Sequence, residues 1–279
     1  MKNVYINILG NDTQDDIEIS EDNLLLIENW NKNKATLFQI KSCVFQLALS
    51  FKDYTSFMND YNSDKIVCNI PNTNENDYIA QHYNRYLLNL TSSYVACTEY
   101  YKKICKIYNL SSIYKSLTDE CYAKFFEYRL FHKLRNFILH NAVPINIVKV
   151  TRKKLICTKD YLLEYGNWNK DLKIDIQALP NEIELNLYIE KAIRVLLEML
   201  DIVTCNVFNK GLDLYDPLKH FLFSLDIKNM SEDIVINVED STETMSMVYN
   251  FEKEYNFFKN IANNKSYASE LFKLYINNS

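Results

Sequence analysis

The sequence predicts a mainly helical protein: a helical bundle over residues 1–145, then an extension over residues 146–279 that contains a β-hairpin and further helices. Three observations carry this. Glycine and proline are scarce, 3 and 4 in 279 residues, too few for a turn-dense β-sandwich or a glycine-loop nucleotide fold. Long stretches place apolar residues three and four apart, the period of a helix buried along one face. After Pro144 the texture changes to β-branched alternation. Bundle and extension are also compatible with one continuous domain.

Val4-Tyr5-Ile6-Asn7-Ile8-Leu9 predicts a short strand, and an acidic turn follows. Residues 22–30 and 33–59 predict two helices; Leu37, Ile40, Val44, Leu47, Leu49 and Phe51 fall near helical spacing in the second. Residues 58–77, rich in Asn, Asp, Ser and Thr and holding Pro71, predict a loop. Residues 78–109 predict a long helix with Tyr86, Leu87, Leu90, Tyr94, Val95 and Cys97 on or near its core stripe. On it His82 and Arg85 are better read as surface polar residues than as phosphate contacts. Residues 110–117 predict a connector. Thr118 is the expected N-cap of a central helix, with Asp119 and Glu120 where carboxylates suit the dipole. That helix runs to the residues before Pro144.

Beyond it, Ile145–Thr151 and Leu155–Thr158 predict a hairpin with Arg152, Lys153 and Lys154 at a basic tip. A short turn ends at Gly166, and Trp168 is a packing anchor. Pro180 opens a strong helix over residues 181–208; its Glu182, Glu184 and Glu190 read as a solvated face rather than an acid/base pair. A short helix over 214–223, a strand over 234–238 and helical stretches near 242–260 and 267–276 complete the chain.

Composition is ordinary for a globular chain, 48% hydrophobic and 24% charged. The 21 tyrosines and 15 phenylalanines, with much Asn, Lys and Ile, fit an A+T-rich coding bias. Seven scattered cysteines form no CxxC pair and no Cys/His cluster, which points to reduced thiols and away from zinc. The N-terminal apolar run is too short and too soon acidic for a signal peptide. No apolar run approaches the ~20 residues that span a bilayer. A soluble, cytoplasmic protein with no membrane partner is expected. P-loop, nucleophile elbow, dinucleotide turn and metal-ligand motifs are all missing, as are the paired aspartates after a Gly-Ser turn that nucleotidyl transfer would need. No cofactor and no metal are expected.

The net charge of −5 opposes nucleic-acid binding over the whole surface. Between Glu127 and Asp160, however, no acidic residue occurs, where average composition would place about four. Arg129, Lys133, Arg135, Lys149, Arg152, Lys153, Lys154 and Lys159 fall in that window. Solvated hairpin lysines and a confined phosphate site explain it equally well. Within the central helix, His132, Asn136 and His140 fall in one i, i+4, i+8 row, with Arg129 and Lys133 beside it and Arg135 at its border. Leu130, Leu134, Phe137 and Ile138 form the opposite, apolar stripe. Arginine offers a fork to phosphate oxygens, and histidine exchanges protons near neutrality.

Arg135-Asn136-Phe137-Ile138-Leu139-His140 resembles the ribonuclease signature of the HEPN superfamily, an Arg followed by a polar residue and, a few positions on, a His on a late bundle helix. The resemblance is strongest over residues 126–144, with a weaker all-helical similarity over 22–145. It implies a HEPN-like bundle and a metal-independent endoribonuclease of toxin or antiphage (abortive-infection) type. It further implies a homodimer whose two Arg/His rows face one cleft, RNA as substrate, and products ending in a 2′,3′-cyclic phosphate. On this reading Arg135, Asn136 and His140 are catalytic. Arg129, His132, Lys133, Arg152, Lys153 and Lys154 are candidates for substrate contact. An apolar seam of Cys121, Phe125, Tyr128 and Leu139 suits either the dimer or packing within one chain. An inhibitor or antitoxin partner is compatible with it. The other open reading is a non-catalytic helical binding module, an antitoxin, immunity or assembly protein, with the basic hairpin gripping an acidic partner.

Overall fold

The computed structural model describes residues 3–8, 20–66, 74–141, 144–149, 153–224, 233–239 and 244–278. The protein is mainly helical, with a β-hairpin and small antiparallel sheets. Its elements in order are β1 (Asn3–Ile8), α1 (Glu21–Asn62), α2 (Glu75–Ile107), α3 (Ser111–Lys124), α4 (Phe126–Asn141), β2 (Ile147–Lys149), β3 (Lys154–Thr158), α5 (Lys159–Leu163), α6 (Lys170–Ala178), β4 (Glu182–Ile183), α7 (Asn186–Leu212), α8 (Tyr215–Ser224), β5 (Ile234–Glu239), β6 (Thr244–Tyr249), α9 (Phe251–Asn263) and α10 (Tyr267–Asn278).

The chain forms two compact units that interleave in sequence: residues 1–38 with 204–265, and residues 39–203 with 266–279. The chain passes from one unit to the other at 38/39 within α1, at 203/204 within α7, and at 265/266.

In the first unit β1 pairs antiparallel with β5 and β5 with β6, giving the order β1-β5-β6. The stretch that β6 occupies was expected to be helical. Thr244, Val248 and Tyr249 are strand-favouring residues, and six ladder pairs with β5 hold the stretch extended. Trp30, Phe208, Tyr249, Phe251 and Phe258 are buried together, with Tyr249 stacked on Phe251 and Phe208 on Phe258. The indole Nε1 of Trp30 donates to Glu254 Oε2 at 2.8 Å, so the ring's one polar atom is satisfied. Asn33, fully within this core, donates Nδ2 to the carbonyl of Gly211 at 3.2 Å. A Cβ on Gly211 would collide with that side chain, so the glycine permits a close approach. These contacts explain why α1 continues unbroken through Asn31-Lys32-Asn33, where the polar run predicts a gap between two helices.

In the second unit α2 is the central rod. Leu87, Leu90, Tyr94, Cys97, Tyr101 and Ile104 are buried on it, at the three- and four-residue steps expected of a core face. Tyr94 meets Tyr128 and Phe131 of α4 edge-on. Phe137 of α4 stacks on Trp168 at 5.6 Å and 15°, and the Trp168 Nε1 donates to the Leu162 carbonyl at 2.6 Å. The hairpin β2–β3 is antiparallel and β4 extends it. Asp201 of α7 caps α10, accepting from the amides of Ala268 at 2.6 Å and Ser269 at 3.1 Å.

The expected central helix is two helices. α3 already begins at Ser111, within the expected connector, and Thr118 lies inside it, its hydroxyl bonded back to the Lys115 carbonyl. The break comes at Phe125, whose φ of −119° and ψ of 109° are extended. No glycine or proline marks it. There the guanidinium of Arg129 donates to the carbonyls of Tyr122 and Ala123, freed at the end of α3.

Candidate functional site on the fourth helix

Helix α4 buries one face completely. Leu130, Phe131, Leu134 and Phe137 are at most 1% exposed and Ile138 is 9% exposed. The anchored stripe fixes what the other residues present. Asn136 and His140 are exposed and Arg135 half-buried. Asn136 and His140, four apart, are neighbours on the helix surface. Arg135 lies about 140° around the axis from His140, at 100° per residue. No ion pair or hydrogen bond joins any of these three side chains to a described residue, so each is open to an outside group. Leu139 beside them is 49% exposed.

The other candidates divide. Arg129 is buried and fully engaged: its Nε and Nη2 donate to Asp175 Oδ2 at 3.0 and 2.7 Å, and its Nη1 caps α3 as described. Lys153 is ion-paired with Asp64 and Lys154 with Glu184, the latter at 2.5 Å. Lys149 of the same hairpin pairs with Glu182 at 2.5 Å. Arg152 lies outside the described residues. Of the apolar seam, Cys121 and Tyr128 are buried within the chain and Phe125 is half-buried, leaving Leu139 as its exposed member.

His132 and Lys133 face elsewhere from the hairpin. They line a cleft of about 770 Å³ formed by the last turns of α2, by α3 and by the first half of α4. His132 stacks on Tyr128 at 6.2 Å and 10°, and its Nδ1 is sealed from solvent without a hydrogen-bond partner. Burial pushes its pKa below the ordinary imidazole value, with the Lys133 ammonium acting in the same direction. The sequence reading did not find the rest of this cleft: Lys102, Lys103 and Lys106 on α2, Lys115 on α3, and the rings of Tyr114 and Tyr122. Its one available signal was the spacing of Lys102, Lys103 and Lys106 on a single helical face.

Among the described residues no three His, Cys, Asp or Glu side chains converge as metal ligands. The described cysteines form no disulfide, and burial pushes the thiols of Cys105 and Cys121 up to about 11, far from nucleophilic use. No described helix is long and apolar enough to cross a membrane. Compared with protein-family models, with curated proteins and with solved structures, the chain matches none.

Proposed function

We propose that the protein is a metal-independent, HEPN-type endoribonuclease of toxin or antiphage defence, acting in the cytoplasm as a homodimer. One observation carries the reading. Asn136 and His140 are exposed on α4 and Arg135 is half-buried there, and none of the three side chains has a partner among the described residues. A helix tail with an unengaged guanidinium, amide and imidazole is suited to a phosphodiester.

The chemistry follows from the groups. The ribose 2′-oxygen attacks the adjacent phosphorus, and its proton passes to the neutral imidazole of one His140. The guanidinium of Arg135 stabilises the charge that grows on the non-bridging oxygens. The 5′-oxygen leaves as its bond to phosphorus breaks, taking a proton from the imidazolium of a second His140. The products are a 2′,3′-cyclic phosphate and a 5′-hydroxyl. One imidazole cannot stand on both sides of an in-line displacement, so a second copy of the chain is required. Exposed Leu139, next to His140, is suited to the seam between copies.

The competing reading, a non-catalytic module gripping an acidic partner with its hairpin, has less to draw on. Lys149, Lys153 and Lys154 already hold carboxylates of their own chain.

The test is RNA cleavage by the purified protein in excess chelator. Wild type is expected to leave 2′,3′-cyclic phosphate ends, and His140→Ala to leave the RNA intact while remaining folded. Cleavage that requires a divalent ion, or that persists in His140→Ala, overturns the assignment.

A further inference from the structure

Two cysteines that stand 54 positions apart in the sequence meet inside the second unit. Cys43 lies on α1 and Cys97 on α2, and the Cys97 thiol donates to the Cys43 Sγ at 3.4 Å. We propose that this pair is a redox site, which a peroxide converts to a disulfide that ties α1 to α2.

Geometry is the first argument. Cys43 passes its own proton on to the Ile40 carbonyl at 3.3 Å, so a chain of hydrogen bonds runs from Cys97 through Cys43 to the backbone and aims the two sulfurs at each other. The fully buried side chains of Ile40, Val44 and Leu47 on α1 and of Tyr94 and Tyr101 on α2 flank them. Neither cysteine can turn away without opening that core. Two turns further along α1, the hydroxyls of Ser50 and Ser93 meet at 2.7 Å. Small side chains therefore face each other at both contacts, and α1 and α2 run antiparallel in close approach. A disulfide needs its sulfurs about 2 Å apart. The remaining gap of little more than about 1 Å is within the small sliding that packed helices allow.

The chemistry is the second argument. Cys43 is the less sealed of the two, 5% exposed against 0% for Cys97, so its sulfur meets peroxide first. It attacks one oxygen of hydrogen peroxide, the O–O bond breaks and water leaves, and Cys43 becomes a sulfenic acid. The Cys97 sulfur then attacks the Cys43 sulfur. The S–O bond breaks, and the hydroxyl leaves with the Cys97 proton as a second water. The two thiols give up two electrons, and one peroxide becomes two waters. The hydrogen bond to Cys43, and then burial, raise the Cys97 pKa well above the ordinary thiol value. The pair therefore rests reduced at neutral pH and reacts slowly. The same burial shuts out bulky disulfide oxidants and admits a molecule as small as peroxide. Once formed, the bond closes a long loop and removes freedom from the unfolded chain, so oxidation strengthens the second unit.

The experiment treats the full wild-type chain with millimolar hydrogen peroxide, blocks the remaining thiols in denaturant and maps the peptides by mass spectrometry. A peptide pair joined through Cys43 and Cys97 is expected. The melting temperature should rise by several degrees and return to its starting value with dithiothreitol. Cys43→Ala and Cys97→Ala should each lose both the link and the rise. The link is read on wild type, so a variant that folds poorly leaves the test intact. Half-buried Cys205 reports that peroxide has acted. A Cys43/Cys97 pair still reduced once Cys205 is oxidised, separate sulfinic acids at the two positions, or a link between other cysteines in place of this one overturns the proposal. A rise in melting temperature that persists in Cys43→Ala overturns the disulfide as its cause. None of these readouts involves RNA, so this proposal and the nuclease assignment fail separately.

Discussion

Arg129 and Arg135 stand six positions apart on one helix and meet opposite fates. Arg129 turns inward at the start of α4, where it holds Asp175 and closes the end of α3. Its side chain is 11% exposed. Arg135, almost two turns later, is half-buried and unengaged. A guanidinium has five donors in a planar fork. At Arg129 the fold uses that fork for itself; at Arg135 it is left for something else. The lesson is that residue type and basic surroundings do not separate a structural cation from an available one. The partners do, and the carboxylate among them, Asp175, comes from a distant part of the chain.

The sharpest way to break this contrast is to remove each arginine in turn. Arg135→Ala is expected to lower metal-free RNA cleavage at least about a hundredfold, the effect of deleting one donor to a developing oxyanion, while thermal melting is unchanged. If cleavage persists, Arg135 has no part in the chemistry. Arg129→Ala should do the reverse. Losing one partner of a buried pair costs about 3 kcal/mol, visible as a lower urea midpoint, with cleavage falling only as the folded fraction falls. Because the Asp175 side chain is 30% exposed and can recover water, Arg129→Met/Asp175→Asn should regain part of that loss. A double variant no better than Arg129→Ala would shift the weight from the ion pair to the two carbonyls at the end of α3.

The same contrast runs through the lysines. Those of the hairpin are paired, and those of the cleft among α2, α3 and α4 are largely not. Lys154→Ala should cost less than ~1 kcal/mol, as exposed pairs do. It should also leave RNA cleavage close to wild type, measured at the same salt. A large fall in cleavage with stability intact would show that Lys154 leaves Glu184 for the substrate.

This division was not legible in the sequence. The acid-free window from 128 to 159 is real, but Asp64, Asp175, Glu182 and Glu184 reach into it from outside. The amphipathic stripe of α4 was legible because Leu130, Leu134, Phe137 and Ile138 repeat at helical spacing, and so were the hairpin and the strand at 234. The break at Phe125 was not, since no glycine or proline marks it. Nor was the strand nature of 244–249, which depends on a neighbour to pair with. Arg135, Asn136 and His140 were singled out from their order alone. The cleft was missed because its lysines belong to three helices.

The smallest expected effect concerns His132, the cleft residue nearest in kind to Arg129, since it too is held inside. Burial first, then Lys133 and more weakly Lys102, push its pKa below 6.5, while Glu99 pulls the other way. The unfolded chain takes up a proton as pH falls through about 6.5, and the folded chain does so only at lower pH. Through that window the unfolded state binds more protons, so stability drops as the solution is acidified. His82 acts in the same sense, lowered by its partial burial and by Arg85, so wild type alone cannot separate them. His132→Gln can. Its melting temperature should decline less than that of wild type between neutral pH and the folded pKa, because it has no imidazole to protonate. Identical declines would mean that the ring at 132 exchanges protons as freely folded as unfolded. It would then belong with Arg135 among the available groups rather than with Arg129 among the enclosed ones.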